Sequence, residues 1–181
     1  MPVKIIRAIG IDPGSRITGI GVVEARGNTL QYIHSESVRV GAGPLASRLV
    51  LIHERIQDVI ATFGPKSGAV EKVFLAANPQ SALVLGQARG SALLALAQNG
   101  VETSEYTALE IKRAVTGTGR ATKEQVQHMV RILLGMNRKP AQDAADALAC
   151  AICHLHVAQG QAPILSHGAR GAVARRRTGR R

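Results

Sequence analysis

Residues 4–40, KIIRAIGIDPGSRITGIGVVEARGNTLQYIHSESVRV, decide the architecture. Three runs of strand-forming residues, 4–12, 17–25 and 29–40, are joined by short turns, which predicts an antiparallel meander. The period then changes. From Pro44 to Phe63, Leu45, Leu49, Ile52, Ile56, Val59, Ile60 and Phe63 recur at helical spacing, and Gly64-Pro65 ends that helix. Residues 68–75 predict a fourth strand. Asn78-Pro79 is an N-cap followed by proline at the first helical position, opening a helix that runs to about Gln98. Residues 101–106 predict a fifth strand. Thr107-x-x-Glu110 and Thr122-x-x-Gln125 are capping boxes that open two more helices, and Pro140 starts a last helix reaching about Ala158. The order β-β-β-α-β-α-β-α-α-α predicts an α/β fold, a mixed five-stranded sheet flanked by helices.

The chain has 181 residues and a net charge of +11. The length suits one domain with a real core. Its charge is unevenly placed: the segment from Ser166 carries Arg170, Arg175, Arg176, Arg177, Arg180 and Arg181 and no acid. Without those arginines the rest has 17 basic against 12 acidic residues, or +5. A modestly basic body (1–159) with an arginine-rich, disordered tail (160–181) is therefore expected, and with it a polyanionic partner, most simply nucleic acid. No run approaches the roughly 20 apolar residues that span a bilayer, and the N-terminus reads as a strand and not as a signal peptide. A cytoplasmic location is the expectation. Cys150 and Cys153, with His154, spell CAICH, which matches haem-attachment, redox and zinc spacings. Haem attachment would need export and zinc a second ligand pair, for which only His154 and His156 are near, so the expected reading is two small thiols on the buried side of an alanine-rich helix.

Four carboxylates stand where structure alone gives little reason for them. Asp12 closes the apolar run Ile5–Ile11. Glu71 interrupts a strand pattern in GAVEKVFLA, and Asp143 and Asp146 lie one helical turn apart in PAQDAADALACAI. Ionised carboxylates among apolar neighbours are costly unless paired, hydrogen-bonded or bound to metal. If the first strand is central, Asp12 sits at its C-terminal end, the usual ligand edge of an open sheet. Glu71 lies on the strand expected beside it, and a helix crossing the same face would add Asp143 and Asp146. Such hard oxygen donors suit Mg²⁺ or Mn²⁺ acting on a phosphodiester. Plainer explanations exist: Asp12 before Pro-Gly can start a turn, and Asp143 can favour a helix N-terminus. Glu71 inside a buried-strand pattern is harder to explain that way.

The segments GIDPGSRITGIGV, VEKVFLAANPQSALVLGQARG, TKEQVQHMV and PAQDAADALA, in order from about Ile5 to His156, resemble the RuvC family of bacterial Holliday junction resolvases. The resemblance covers nearly the whole folded part. It implies a ribonuclease H-like fold and a crossover junction endodeoxyribonuclease that nicks opposing strands of a four-way junction in recombination and DNA repair. It implies that Asp12, Glu71, Asp143 and Asp146 are catalytic and hold Mg²⁺, two ions per subunit, replaceable by Mn²⁺. Asp146 falls where some members use histidine. Phe74 matches an aromatic that inserts or stacks at the junction centre, and Lys112 and Lys123 match basic residues near the scissile phosphate. Arg89, in GQARG, would contact DNA or form an ion pair. The family is a homodimer through the region of Ala82, Gly86 and Gly90, whose small side chains recur every fourth residue, and it works with the RuvA and RuvB branch-migration proteins. Close packing of that stripe on the parent sheet is the competing explanation. The arginine tail is outside the matching motifs.

Two other functions fit parts of the sequence. Asp12-x-Gly14 followed by Gly19 and Gly21 also resembles the phosphate loop of actin-like phosphotransferases, but 181 residues should leave no room for their second lobe. A non-catalytic junction-binding protein would not need the carboxylate set.

Overall fold

The computed structural model describes residues 4–72 and 79–160. Ten elements follow one another: β1 (Ile5–Asp12), β2 (Ile17–Arg26), β3 (Thr29–Arg39), α1 (Leu45–Phe63), β4 (Ser67–Lys72), α2 (Pro79–Gln98), β5 (Glu102–Thr107), α3 (Ala108–Thr116), α4 (Lys123–Leu133) and α5 (Gln142–Ala158). The sheet order is β3-β2-β1-β4-β5. β2 pairs antiparallel with both β1 and β3, while β4 lies parallel to both β1 and β5. The meander and the helix-linked half thus join at β1, which is central, in the expected ribonuclease H-like arrangement.

Alternation along the strands divides two cores. Ile9, Ile11, Ile20, Val22 and Val70 point to one face, where Ile52 and Ile56 of α1 and Ala92 and Leu96 of α2 cover them. Ala8, Val23, Ala69 and Tyr106 point to the other, which α3, α4 and α5 cover. α5 is the most enclosed helix: every residue from Ala144 to Leu155 except Asp146 is buried. Alanines let it lie close to the sheet, and glycines complete the fit from below. A Cβ placed on Gly10 would strike the Ala147 carbonyl and come within 2.5 Å of the Ala151 nitrogen, and one on Gly21 would lie 2.8 Å from the Leu148 nitrogen. Gly19 and Gly21 therefore seat a helix, a role that accounts for them without a phosphate loop.

Local signals explain most boundaries. Thr107 and Thr122 each complete a reciprocal capping box, with Glu110 and Gln125, so α3 and α4 begin where the side chains satisfy the first free amides. Gly64, at φ 61°, ends α1 in the left-handed conformation that glycine adopts without penalty. The last helix starts at Gln142 and not at Pro140, because Ala141 is extended (φ −58°, ψ 154°) and the Pro140 carbonyl accepts a 2.6 Å bond from Gln127 Nε2. The described part of β4 ends at Lys72; residues 73–75 and the expected cap Asn78 lie outside the described residues. So does the basic tail beyond Gly160.

Cys150 and Cys153 are free and buried within α5. Burial holds the Cys150 thiol far above its usual range and pushes Cys153 up to about 12. His154 is also buried, shares a 3.1 Å hydrogen bond with the Tyr106 hydroxyl, and is kept below its ordinary pKa by desolvation. The CAICH segment is core. Among the described residues, no helix is long and apolar enough to cross a membrane.

Candidate active site

Asp12 is the last residue of β1 and the register partner of Gly19. Gly10 and Ala8, two and four positions earlier, face α5, so the two-residue period of a strand turns Asp12 to that face as well. Glu71 follows Val70, the partner of Ile11 across the β1–β4 ladder, and shares a face with Ala69 of the α5-side core. Asp143 and Asp146 come from the first two turns of α5. The Asp143 carbonyl sits against Gly19, which sets the start of the helix over the end of β1. Three distant segments are thereby brought to one edge of the sheet.

Asp12, Glu71 and Asp146 line a single pocket of about 230 Å³. Lys112 of α3 and Lys123 of α4 complete its polar lining, and Ala108, Ile111 and Val126 form an apolar wall that sequence patterning did not single out. Lys123 Nζ lies 3.6 Å from Asp146 Oδ2, with its side chain 63% exposed, so it spans the mouth. Asp143 is outside the lining but close enough for its charge to act on Asp12 and Asp146.

The electrostatics are those of crowded acids. Asp12 is pushed up to about 8, first by burial, then by the Glu71 and Asp146 carboxylates, against the pull of Lys123. Burial and then Asp146 raise Glu71, while Lys123 and Lys112 oppose them. Burial also raises Asp146, with Lys123 as the chief counterweight. Two lysines do not neutralise this cluster. Among the described residues, no three His, Cys, Asp or Glu side chains are gathered tightly enough to hold a metal as they stand. Their chemistry fits one nonetheless: several hard anionic oxygens share a pocket whose ionised form is destabilised, and a divalent cation supplies the missing charge.

The remaining candidates are distributed differently. Arg89 of α2 forms an ion pair with Glu105 of β5, the register partner of Val70, and so lies on the sheet face away from the carboxylates. Phe74 lies outside the described residues. Ala82, Gly86 and Gly90 are exposed, and Cβ atoms placed on Gly86 or Gly90 would meet nothing within 4 Å. Packing on the parent sheet is therefore not what the stripe does; Ala88, Ala92, Ala95 and Leu96 make that contact.

Comparison with known proteins finds relatives over most of the chain. Residues 8–154 match the family described as crossover junction endodeoxyribonuclease RuvC. A protein of that name from Pseudomonas fluorescens is 51% identical over 172 residues, covering 95% of this chain and 96% of the relative. Among solved structures, Thermus thermophilus RuvC in complex with Holliday junction substrate superposes with a TM-score of 0.81 at 36% identity, over 87% of this chain and 98% of that one. The yeast mitochondrial Holliday junction resolvase Ydc2 shares the fold, with a TM-score of 0.63 at 13% identity over 86% of this chain and 80% of its own.

Proposed function

The chain belongs to the RuvC family of crossover junction endodeoxyribonucleases, and we infer from its pocket how it carries out their reaction. It is a Holliday junction resolvase, a structure-specific nuclease of recombination and repair that hydrolyses phosphodiesters in four-way DNA. The observation that carries the residue assignment is the convergence of Asp12, Glu71 and Asp146 on one pocket beside Asp143, with Lys112 and Lys123 around it.

We assign Asp12, Glu71, Asp143 and Asp146 as the residues that hold Mg²⁺, with Mn²⁺ able to replace it. The metal, two ions in the expected case, supplies activation of a water and stabilisation of the leaving 3′ oxygen. The acids fix where that chemistry occurs, since β1, β4 and α5 are locked to one another by the close seat of α5. Lys112 and Lys123 offset the carboxylate charge and draw the scissile phosphate into the pocket, where an unrelieved acid cluster would repel it. Ala108, Ile111 and Val126 limit water on one side. The products are 5′-phosphate and 3′-hydroxyl ends, which ligation can seal.

Paired nicks need two sites. The exposed stripe Ala82, Gly86 and Gly90, flanked by Leu83 at 63% and Leu94 at 53% exposure, supports association of two copies through α2. A two-fold dimer would then present two pockets to a junction of matching symmetry. Phe74 is the residue proposed to stack at the junction centre, and RuvA and RuvB are the expected partners. A cytoplasmic location follows from that work on DNA. Arg89 is the weakest of the proposed DNA contacts, because Glu105 already holds its guanidinium.

The test is incubation with a synthetic four-way junction, with and without Mg²⁺, beside a linear duplex of the same sequence. Symmetrical, Mg²⁺-dependent nicks confined to the junction are expected. Cleavage of both substrates alike, or cleavage insensitive to chelation, would overturn the reading.

A further inference from the structure

A second cleft opens on the other side of the turn that follows Asp12. It has a volume of about 340 Å³, and its lining includes Ser15, Arg16, Arg48, Gln80 and Ser81. Arg16 belongs to the β1–β2 turn, Arg48 to the first turn of α1, and Gln80 and Ser81 to the first turn of α2. The cleft thus lies where the N-termini of two long helices meet the turn that carries Asp12. No acidic side chain lies in the first turn of either helix, and none is among the residues lining the cleft. Among the described residues, neither arginine is paired with a carboxylate. Arg48 gives one guanidinium nitrogen to the Ser15 carbonyl, while its Nε is enclosed without a hydrogen-bond partner. Two guanidinium groups and two positive helix ends facing one cavity make a site for an anion with several acceptor oxygens.

We propose that this cleft binds a backbone phosphate of the DNA strand that enters the carboxylate pocket. The proposal rests on the reading of the chain as a junction nuclease and adds a positioning site to it. The turn is a firm link between the two sites. Thr18 is fully buried, and its hydroxyl bridges the Gly14 amide and carbonyl at 3.4 Å each. A Cβ on Gly14 would strike the Ile17 carbonyl. Arg16 stands four residues after Asp12, so their Cα atoms are at most about 14 Å apart. That is within about four nucleotide steps at 3.4 Å per step. A phosphate held by Arg16 and Arg48 would therefore flank the scissile one and set where along the strand the carboxylates act.

The experiment measures affinity for a four-way junction against salt concentration, using full-length protein in Ca²⁺ to allow binding without turnover. Arg16→Gln is the main variant because Arg16 is exposed. Arg48→Gln also removes the bond to Ser15, so thermal melting is recorded for both. Arg16→Gln should lower affinity about five-fold at moderate salt and flatten the slope of log affinity against log salt by about 0.9, the share of one phosphate. Arg16→Lys should keep the slope. Slopes identical to wild type for Arg16→Gln and for the double variant would overturn the proposal, as would an equal loss in Arg16→Lys. Glu71→Gln runs alongside: it should keep the full slope and lose nicking in Mg²⁺. Wild-type nicking by Glu71→Gln would instead count against the carboxylate assignment and leave the cleft result standing.

Discussion

The carbonyl oxygen of Asp143 rests against Gly19 so closely that no side chain can be accommodated between them. Gly19 is in turn the register partner of Asp12. One glycine thus sets the spacing between a strand-borne and a helix-borne carboxylate. Gly19→Ala should push the start of α5 away from β2 and so from Asp12 at the paired end of β1, destabilise the fold by about 1–3 kcal/mol as overpacking does, and reduce nicking more than junction binding. Thermal melting and a single-turnover nicking assay check this. Gly43→Ala, where the added methyl meets open space outside both the carboxylate pocket and α2, is the control and should leave single-turnover nicking unaffected.

The raised pKa of Asp12 makes stability depend on pH. A carboxylate whose folded value is about 8 holds its proton in the folded state long after the unfolded chain has lost it. The folded state then binds more protons between about pH 4 and pH 8, so stability without metal falls as pH rises through that window. Asp12→Asn should reduce this slope, leaving the smaller part that the raised Glu71 and Asp146 carboxyls contribute with the same sign, and raise the Tm at pH 8 by a few degrees. Mg²⁺ should raise the Tm of the wild type by mass action and that of Asp12→Asn much less. Melts at several pH values, with Mg²⁺ or with chelator, decide it.

Glu24 gives the opposite sign, far from the site. It is 2% exposed and accepts bonds from Arg7 Nε at 3.0 Å and Arg26 Nε at 2.7 Å. Bonds from Arg26 and Arg7 hold its carboxyl below the usual glutamate range, so it contributes stability above about pH 4.5 that is lost as pH falls through the folded value. Glu24→Gln should cost about 2 kcal/mol at neutral pH and flatten the acid limb of the stability profile, while nicking per folded molecule stays at the wild-type rate.

The open stripe on α2 predicts assembly. Gly86→Leu should weaken self-association by holding two α2 helices apart, and should convert paired nicks into slow, uncoordinated single nicks. Sedimentation at micromolar concentration tests the first effect and a cruciform plasmid the second. A wild-type protein that sediments as a monomer on its own would contradict the dimer.

The meander, the helix periods and both capping boxes were legible because each rests on a local signal: alternation, 3.6-residue recurrence, or a Thr with Glu or Gln three residues on. The carboxylates were legible for a different reason, since acids such as Glu71 violate the pattern around them. What the sequence hid was tertiary. Gly19 and Gly21 looked like candidates for a phosphate loop, and only the path of α5 shows that they make room for a helix. The cleft between Arg16 and Arg48 joins the β1–β2 turn to the start of α1, elements whose contact no local pattern announces. For Arg89 the choice between DNA and an ion pair depends on β5, which brings Glu105 to it. The start of α5 falls two residues after the expected one because proline marks a helix opening only loosely, and here its carbonyl is already engaged by Gln127.

The central claim is that these four acids perform the chemistry and do not supply the attraction to DNA. Its most direct test is a paired measurement of junction binding and Mg²⁺-dependent nicking for Asp12→Asn, Glu71→Gln, Asp143→Asn and Asp146→Asn. Each variant should bind the four-way junction as tightly as wild type or tighter, since each removes negative charge from a surface that meets phosphate. Nicking should fall by at least about 100-fold for Asp12, Glu71 and Asp143, and clearly for Asp146. Near-wild-type nicking by the Asp12, Glu71 or Asp143 variant would contradict the account, as would loss of binding in step with loss of nicking.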